Sequence, residues 1–242
     1  MRDIGKLAFL GCTKLNSVQF SNAVTEIGNR AFEACTALAN VDFPESLRSI
    51  GYRAFFGCES LTGAALPDSV SQIGEKAFEL RKAISSVRLP NKLNQISDSV
   101  FAGCSSLAQA TIPDGVKTIG ESAFELCSNL TDVRLPHGVT RIGKTAFYGT
   151  MIRSITIPAT TTAIGELAFS GCSYLSRAFV PETCSLNNKP FPASCKILSL
   201  QEYRNDLAKN LAAELADDDV EVVGMQAPTP PLRLDSRGGR AI

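Results

Sequence analysis

Hydrophobic positions along this chain repeat with a single period. Isoleucine recurs every 23 residues from Ile4 to Ile142, and a phenylalanine stands five residues after each of these isoleucines. The eighth unit begins one residue early, at Ile164, and a degenerate ninth unit begins at Leu186. A fixed period of this length is typical of a repeat protein, in which each unit buries its apolar side chains against its neighbours.

Each unit follows the pattern I-G-x-x-A-F-x-x-C-x-x-L-x-x-V-x-h-P-x-x-h-x-x, as in the unit that begins at Ile119. From alanine to cysteine, apolar residues recur at about one helical turn, which predicts a short helix or 3₁₀ turn. The segment Leu130–Leu135 ends in alternation and predicts a short strand, which the following proline, Pro136, terminates by removing a backbone donor. The glycine is expected where a side chain would crowd a corner or where φ is positive.

One unit cannot bury its own apolar residues, so equivalent units must stack. The sequence therefore predicts an α/β repeat solenoid over residues 1–200, a leucine-rich-repeat-like stack of about eight to nine 23-residue coils with a parallel strand ladder. Residues 201–219 predict an amphipathic helix that caps the C-terminal end of the stack. Its apolar stripe consists of Tyr203, Leu207, Leu211 and Leu215. Residues 220–242, rich in proline, glycine and arginine, predict a flexible tail.

The repeat pattern resembles the BspA-type, or Treponema pallidum-type, leucine-rich repeat family from about Ile4 to Leu200. Single residues depart from it: Ser97 replaces glycine, Val100 replaces alanine, and Arg81 and Thr150 replace cysteine. We expect Arg81 to point its charge outward or to find a partner, because a buried unpaired charge is unfavourable. The resemblance implies a protein-interaction scaffold, often on bacterial or protist surfaces, with adhesion among the family's roles.

Composition argues against several other function classes. The 24 Lys and Arg residues balance 24 Asp and Glu residues, which gives no electrostatic reason to bind nucleic acid through a broad face. The single histidine, His137, leaves most histidine-dependent mechanisms short of a residue. No apolar stretch approaches the roughly 18 residues of a membrane span. We therefore predict a chain that is not an enzyme, with no catalytic residue, cofactor or metal.

One segment imitates a nucleotide-binding motif. Residues Gly138–Thr145 match G-x-x-x-x-G-K-[ST] letter for letter. A phosphate-binding loop of this type lies between a buried strand and a long helix. Here Gly143 is the repeat glycine, and the helical segment expected after it is two turns at most. The match is interpreted as a product of the repeat.

Six of the eight cysteines occupy one repeat position: Cys12, Cys35, Cys58, Cys104, Cys127 and Cys172. No C-x-x-C pair is present, so a zinc site has no support from spacing. The position predicts a buried column of reduced thiols, although disulfides between neighbouring coils stay open as the alternative, since coil spacing does not forbid them. Reduced cysteines and the lack of a signal peptide favour an intracellular protein, or else the chain is a piece of a longer precursor.

Strand positions that flank the inward valine carry whatever binding specificity exists, since the scaffold does not constrain them. The middle of this surface is the candidate partner-binding face: Arg88, Gln109, Thr111, Asp132, Arg134, Ser154 and Thr156. The alternative is a solvated sheet face with no partner. The predicted function is a non-enzymatic scaffold that binds a protein or surface partner. The alternative function is the recognition region of a larger adhesin, receptor or multidomain enzyme.

The first coil should be open on one side. No coil precedes Ile4, so Phe9 and Leu15 lack the neighbours that would cover them. Exposed apolar surface and unpaired strand edges promote association. We expect weak self-association through this coil.

Overall fold

The computed structural model describes residues 2–199, 201, 202, 204, 205 and 207–209. The chain forms two units, Met1–Tyr203 and Arg204–Ile242. The first unit is a parallel β-solenoid, which confirms the predicted stack of coils. Residues 201 and 202, at the end of the first unit, and residues 204, 205 and 207–209, in the second, are helical. The rest of the predicted capping helix and the whole predicted tail lie outside the described residues, so the cap stays a prediction.

Each coil contributes one short strand to each of two ladders. Ladder A contains β2 (Ser17–Gln19), β4 (Asn40–Asp42), β6 (Ala64–Ala65), β8 (Ser86–Arg88), β10 (Gln109–Thr111), β12 (Asp132–Arg134), β14 (Ser154–Thr156), β16 (Arg177–Phe179) and β18 (Lys196–Leu198). Ladder B contains β1 (Asp3–Ile4), β3 (Glu26–Ile27), β5 (Ser49–Ile50), β7 (Gln72–Ile73), β9 (Gln95–Ile96), β11 (Thr118–Ile119), β13 (Arg141–Ile142), β15 (Ala163–Ile164) and β17 (Ser185–Leu186). Paired strands are parallel and in register by one repeat, as in Ile119 opposite Ile142.

Neither ladder is continuous. Ladder A is interrupted between β4 and β6 and again between β12 and β14, where the chain loses one residue. Ladder B is interrupted between β7 and β9. The interruptions are staggered, so that the other ladder pairs across each of them. Every junction between coils therefore keeps at least one set of strand hydrogen bonds.

Phenylalanine rings form the centre of the core. The rings of the repeat phenylalanines stack face to face from Phe9 to Phe191, with centroids 5.0 to 5.6 Å apart. Those from Phe32 to Phe169 are fully buried. The repeat isoleucines, alanines and leucines pack around this column. The hydrophobic columns predicted from the repeat are thus the core of the solenoid.

The segment before each repeat cysteine is not helical. It consists of turns closed by i→i+3 bonds, such as the 3.2 Å bond from the Cys127 amide to the Phe124 carbonyl. A positive φ recurs within the turns, at 53° in Ser122 and 56° in Leu126, and this conformation cannot continue a right-handed helix. The amides that these turns do not use donate to the next coil, as the Phe124 amide does to the Ala146 carbonyl at 2.8 Å. Of the two predicted alternatives, a short helix or a 3₁₀ turn, the structure has turns with the i→i+3 bonding of the second and no helix at these positions.

The corner glycine is required by the close approach of successive coils. A Cβ on Gly120 would lie 2.7 Å from both the Asp98 nitrogen and the Ile96 oxygen, distances that real Cβ atoms do not reach. Its amide donates to the Ile96 carbonyl at 2.8 Å. Its φ lies outside the left-handed region. Of the two reasons expected for this glycine, crowding is therefore the correct one.

Ser97 shows what a side chain does at this corner. Ser97 replaces the glycine in the coil of β9, and it is here that ladder B is interrupted. The Ile73 carbonyl, which would meet a glycine amide in the regular coils, accepts a hydrogen bond from the Ser97 hydroxyl. The hydroxyl thus replaces the amide donor at this corner, whereas Asn187, which holds the same position in the ninth coil, keeps its amide bond to the Ile164 carbonyl at 3.0 Å.

Candidate functional site

The structure places all seven residues of the candidate partner-binding face on the outer surface of ladder A, with their side chains exposed. Strands β8, β10 and β12 pair in register, which sets Gln109 beside Asp132 and Thr111 between Arg88 and Arg134. The residues between them in each strand point inward and are buried. The remaining two, Ser154 and Thr156, lie on β14, beyond the interruption of ladder A. We call the surface formed by all seven residues the ladder A face.

A shallow groove of about 430 Å³ lies at the centre of this face. Four of the predicted residues line it: Gln109, Thr111, Asp132 and Arg134. Sequence reasoning missed the other six residues of its lining, which are Asn91, Ala110, Ile112, Pro113, Asp114 and Pro136. Asn91 and Asp114 each follow the proline that ends a strand, so this repeat position forms one wall of the groove. That position could have been found in the sequence as a column of mostly polar residues.

The charged residues of the ladder A face differ in whether they form ion pairs. Arg88 is held at its edge by an ion pair with Asp68 at 3.0 Å. The Asn91 amide, and then the Arg88 guanidinium, keep the pKa of Asp68 below its ordinary value by hydrogen bonding to its carboxylate. Asp132 and Arg134, in contrast, take part in no ion pair among the residues that the structure describes. The groove thus offers the carboxylates of Asp114 and Asp132 and the guanidinium of Arg134 to a ligand.

Comparison with known proteins identifies the repeat. The model for the BspA type leucine rich repeat region matches residues 2–118 and 94–207, in six copies. The chain belongs to this family. Among curated proteins, none matches the chain. Proteins with BspA-type leucine-rich repeats are generally protein-interaction or surface-associated scaffolds, and they are typically not enzymes.

Three solved structures share the fold. A leucine-rich repeat protein from Bacteroides ovatus ATCC 8483 is 27% identical, with a TM-score of 0.72 over 81% of this chain and 58% of that one. The T. pallidum leucine rich repeat protein is 31% identical, with a TM-score of 0.57 over 72% of this chain and 71% of that one. A leucine rich cell surface protein from Faecalibacterium prausnitzii A2-165 is 25% identical, with a TM-score of 0.50 over 81% of this chain and 64% of that one. The chain thus spans less than two thirds of the first and third of these proteins.

The segment that imitates a nucleotide-binding loop is an ordinary part of this BspA-type solenoid. Strand β13 lies inside it. The Gly143 amide donates to the Ile119 carbonyl at 2.8 Å, and the Lys144 ammonium pairs with the Glu166 carboxylate at 2.7 Å. The groups that would hold a phosphate are therefore used between coils, which agrees with the interpretation of the motif as a product of the repeat.

Each buried thiol in the cysteine column donates a hydrogen bond to the carbonyl of a repeat phenylalanine. The Cys58 thiol donates to the Phe32 carbonyl of the preceding coil at 3.1 Å, and the Cys104 thiol donates likewise to the Phe78 carbonyl at 3.2 Å. Burial raises the pKa of Cys58 to about 12 and that of Cys104 to about 11. These thiols are thus protonated at neutral pH, whereas the form of cysteine that reacts is the thiolate.

Cys12 departs from the predicted column. It occupies the same repeat position but is exposed, whereas the other five column thiols are buried. It belongs to the first coil, in which Phe9 is 37% exposed and Leu10 is 44% exposed. Weak self-association through this coil stays a prediction. Within the described residues, no helix has the length and apolar character needed to cross a membrane.

We predict that thiol reactivity follows this burial. In native protein at pH 8, a thiol reagent should modify Cys12 first and the half-buried Cys184 and Cys195 more slowly. The buried column should react only on unfolding, because its thiols are both inaccessible and protonated. Mass spectrometry of the labelled peptides gives the order. In denaturant without reductant all eight cysteines should titrate, and a count below six would show that disulfides are present.

Arg81 is a further departure from the expected pattern. Its side chain is fully buried in the cysteine column, so of the two arrangements expected for it, an outward charge or a partner, only the second applies, and only in part. One guanidinium nitrogen lies 3.4 Å from the Gly63 carbonyl, and the guanidinium carbon lies 4.9 Å from the centre of the Phe78 ring. The Nε and Nη1 atoms have no hydrogen-bond partner among the residues that the structure describes. Burial lowers the pKa of Arg81 to about 10.

Proposed function

We propose that this chain is a non-enzymatic interaction scaffold that binds a protein partner through the ladder A face. The observation that carries the proposal is the groove of about 430 Å³ at the centre of that face, with Asp132 and Arg134 on its wall. Membership in the BspA-type family supports an interaction role in general. The groove and its charges support this face in particular.

The chemistry of the groove suits a folded or extended protein surface. Arginine is enriched at the centres of protein interfaces, where its planar guanidinium makes several hydrogen bonds at once. Asp132 and Arg134 are separated by one inward residue on β12, so they present opposite charges side by side. A partner with a complementary pair of charges would satisfy both. Since the ladder backbone is already fixed by its hydrogen bonds, little ordering opposes binding.

A second candidate is that the same face is the recognition region of a larger cell-surface protein, as an adhesin or receptor. Two observations favour it. The F. prausnitzii relative is described as a cell surface protein, and the chain spans 58% of the B. ovatus protein. Both candidates use the ladder A face, and they differ in which other parts of the protein accompany it.

The test compares two arginines on different faces of the same solenoid. Arg134 lies on ladder A and Arg141 on ladder B, and both are exposed strand residues. Purified chain carrying Arg134→Glu should retain about tenfold less of a partner captured by the unmodified chain, since a central interface arginine contributes on this scale. Arg141→Glu should retain it unchanged. Quantitative mass spectrometry of the captured proteins gives both values.

A crosslinking measurement identifies the contact directly. A photoreactive amino acid at Thr111 should crosslink the captured partner, and the same group at Thr140 should not. Equal capture by both arginine variants, or crosslinking from Thr140 alone, would contradict a role for the ladder A face.

A further inference from the structure

A second groove lies on ladder B, at the place where β7 and β9 do not pair with each other. It encloses about 720 Å³ and crosses the strands of four successive coils, from β3 to β9. Its lining is polar: Glu26, Ser49, Gln72, Asn94, Gln95 and the ring-bearing Tyr52. None of these residues belongs to the ladder A face, so the groove is a separate surface.

Ser97 bridges the interruption of ladder B inside this groove. It lines the groove, and its hydroxyl donates to the Ile73 carbonyl across the interruption of ladder B. Gln72 and Gln95 stand on the two sides of that interruption, each at the exposed first position of its strand. The groove thus extends across the break in ladder B, with Gln72 on one side and Gln95 on the other.

The lining favours a hydroxyl-rich ligand over a peptide. Apolar residues beneath the groove are covered, with Ile50 2%, Ile73 7% and Leu93 3% exposed. A bound peptide would find no apolar pocket for its side chains, which usually give peptide recognition its specificity. Side-chain amides donate and accept hydrogen bonds at once, as sugar hydroxyl groups do. Tyr52 is 38% exposed and adds an aromatic ring to the lining.

The charge of the groove and the spacing of its coils restrict the class of ligand further. The groove carries carboxylates from Glu26 and Glu75 and one ammonium from Lys92, so it has no strong charge of either sign. Successive coils repeat about every 4.8 Å, close to the length of one pyranose ring along a polysaccharide. A row of amides and hydroxyls with this repeat can bond successive sugars in the same way. We propose that this groove binds a neutral, extended oligosaccharide.

Isothermal titration calorimetry of the purified chain tests the proposal, with cellohexaose, chitohexaose and maltohexaose as probes. We expect at least one probe to bind with a dissociation constant of about 0.1–1 mM, since only hydrogen bonds and one aromatic ring contribute. The double variant Gln72→Ala, Gln95→Ala should weaken that binding about tenfold, because both sides of the interruption lose their amides. Gln19→Ala, an exposed glutamine at the end of a ladder A strand, should leave it unchanged.

Three results would overturn the proposal. The first is the absence of heat with all three sugars at millimolar concentration. The second is binding that the glutamine double variant does not weaken, while circular dichroism shows that the variant is folded. Selection of a tight ligand from a random peptide library that the double variant loses, with no sugar bound, would assign the groove to peptides instead. None of these outcomes depends on the ladder A face, which Arg134→Glu tests separately.

Discussion

Replacing Phe101 by alanine is expected to lower the free energy of unfolding by about 3–5 kcal/mol. Phe101 is fully buried and stacks between Phe78 and Phe124, with ring centroids 5.6 Å from each. Its removal leaves a cavity that touches three coils, and the ladders on either side prevent the coils from closing over it. In a solenoid each coil is stabilised mainly by its neighbours, so the loss affects both adjoining interfaces. Urea unfolding followed by circular dichroism measures it.

The same substitution in the first coil is the matched control. Phe9 occupies the equivalent position but is 37% exposed and stacks on one side only, at 5.0 Å from Phe32. Phe9→Ala should therefore destabilise by less than half as much, because less apolar area is lost from the interior. Arg88→Ala, on the exposed face, should stay within about 0.5 kcal/mol. Equal losses at Phe101 and Arg88 would mean that the inward and outward columns are wrongly assigned.

Replacing Arg81 by cysteine is expected to stabilise the protein by about 1–3 kcal/mol. The guanidinium is buried with two of its nitrogen atoms unpaired, which costs the hydration that those groups have in the unfolded chain. A thiol at this position can donate to the Phe55 carbonyl, as Cys58 and Cys104 do to the phenylalanines of their preceding coils. The substitution thus replaces an unsatisfied charge with the hydrogen bond that the repeat normally makes.

The pH dependence follows from the lowered pKa of Arg81. Burial brings it from 12.5 to about 10, so between these values the unfolded chain holds a proton that the native state has lost. Stability rises with pH wherever the unfolded state binds more protons. The penalty is therefore complete below pH 10 and is relieved above it, and the gain from Arg81→Cys should be constant from pH 6 to 8.

Lys82→Cys provides the control, because Lys82 adjoins Arg81 in sequence but is exposed and pairs with Glu59 at the surface, at 3.2 Å. Its effect should stay within about 0.5 kcal/mol, as is usual for exposed ion pairs. Urea midpoints of the two variants and the unmodified chain give the comparison. A loss of stability in Arg81→Cys, with Lys82→Cys neutral, would show that the guanidinium is satisfied in the folded protein.

The sequence by itself determined the architecture. A 23-residue period with isoleucine, phenylalanine and leucine at fixed positions has one physical solution, in which equivalent side chains stack into inward columns. The same period separates inward from outward strand positions, so the exposed residues of ladder A could be identified before the structure was known. These features depend only on which residues are apolar and how far apart they stand. Whether the outward residues bind a partner is not a property of the period.

The tertiary structure decided what depends on contacts between coils. The turn segment has helical spacing, yet positive φ at positions such as Leu126 directs its amides to the next coil rather than along a helix. Cys12 is exposed and Arg81 is buried because burial is set by neighbouring coils, not by the residue type. The two grooves likewise depend on contacts between coils, since one crosses the break in ladder B at Ser97 and the other has the turns after the strands as a wall beside ladder A. A sequence repeat specifies the average coil, whereas the distance between two particular coils is fixed only when their side chains meet.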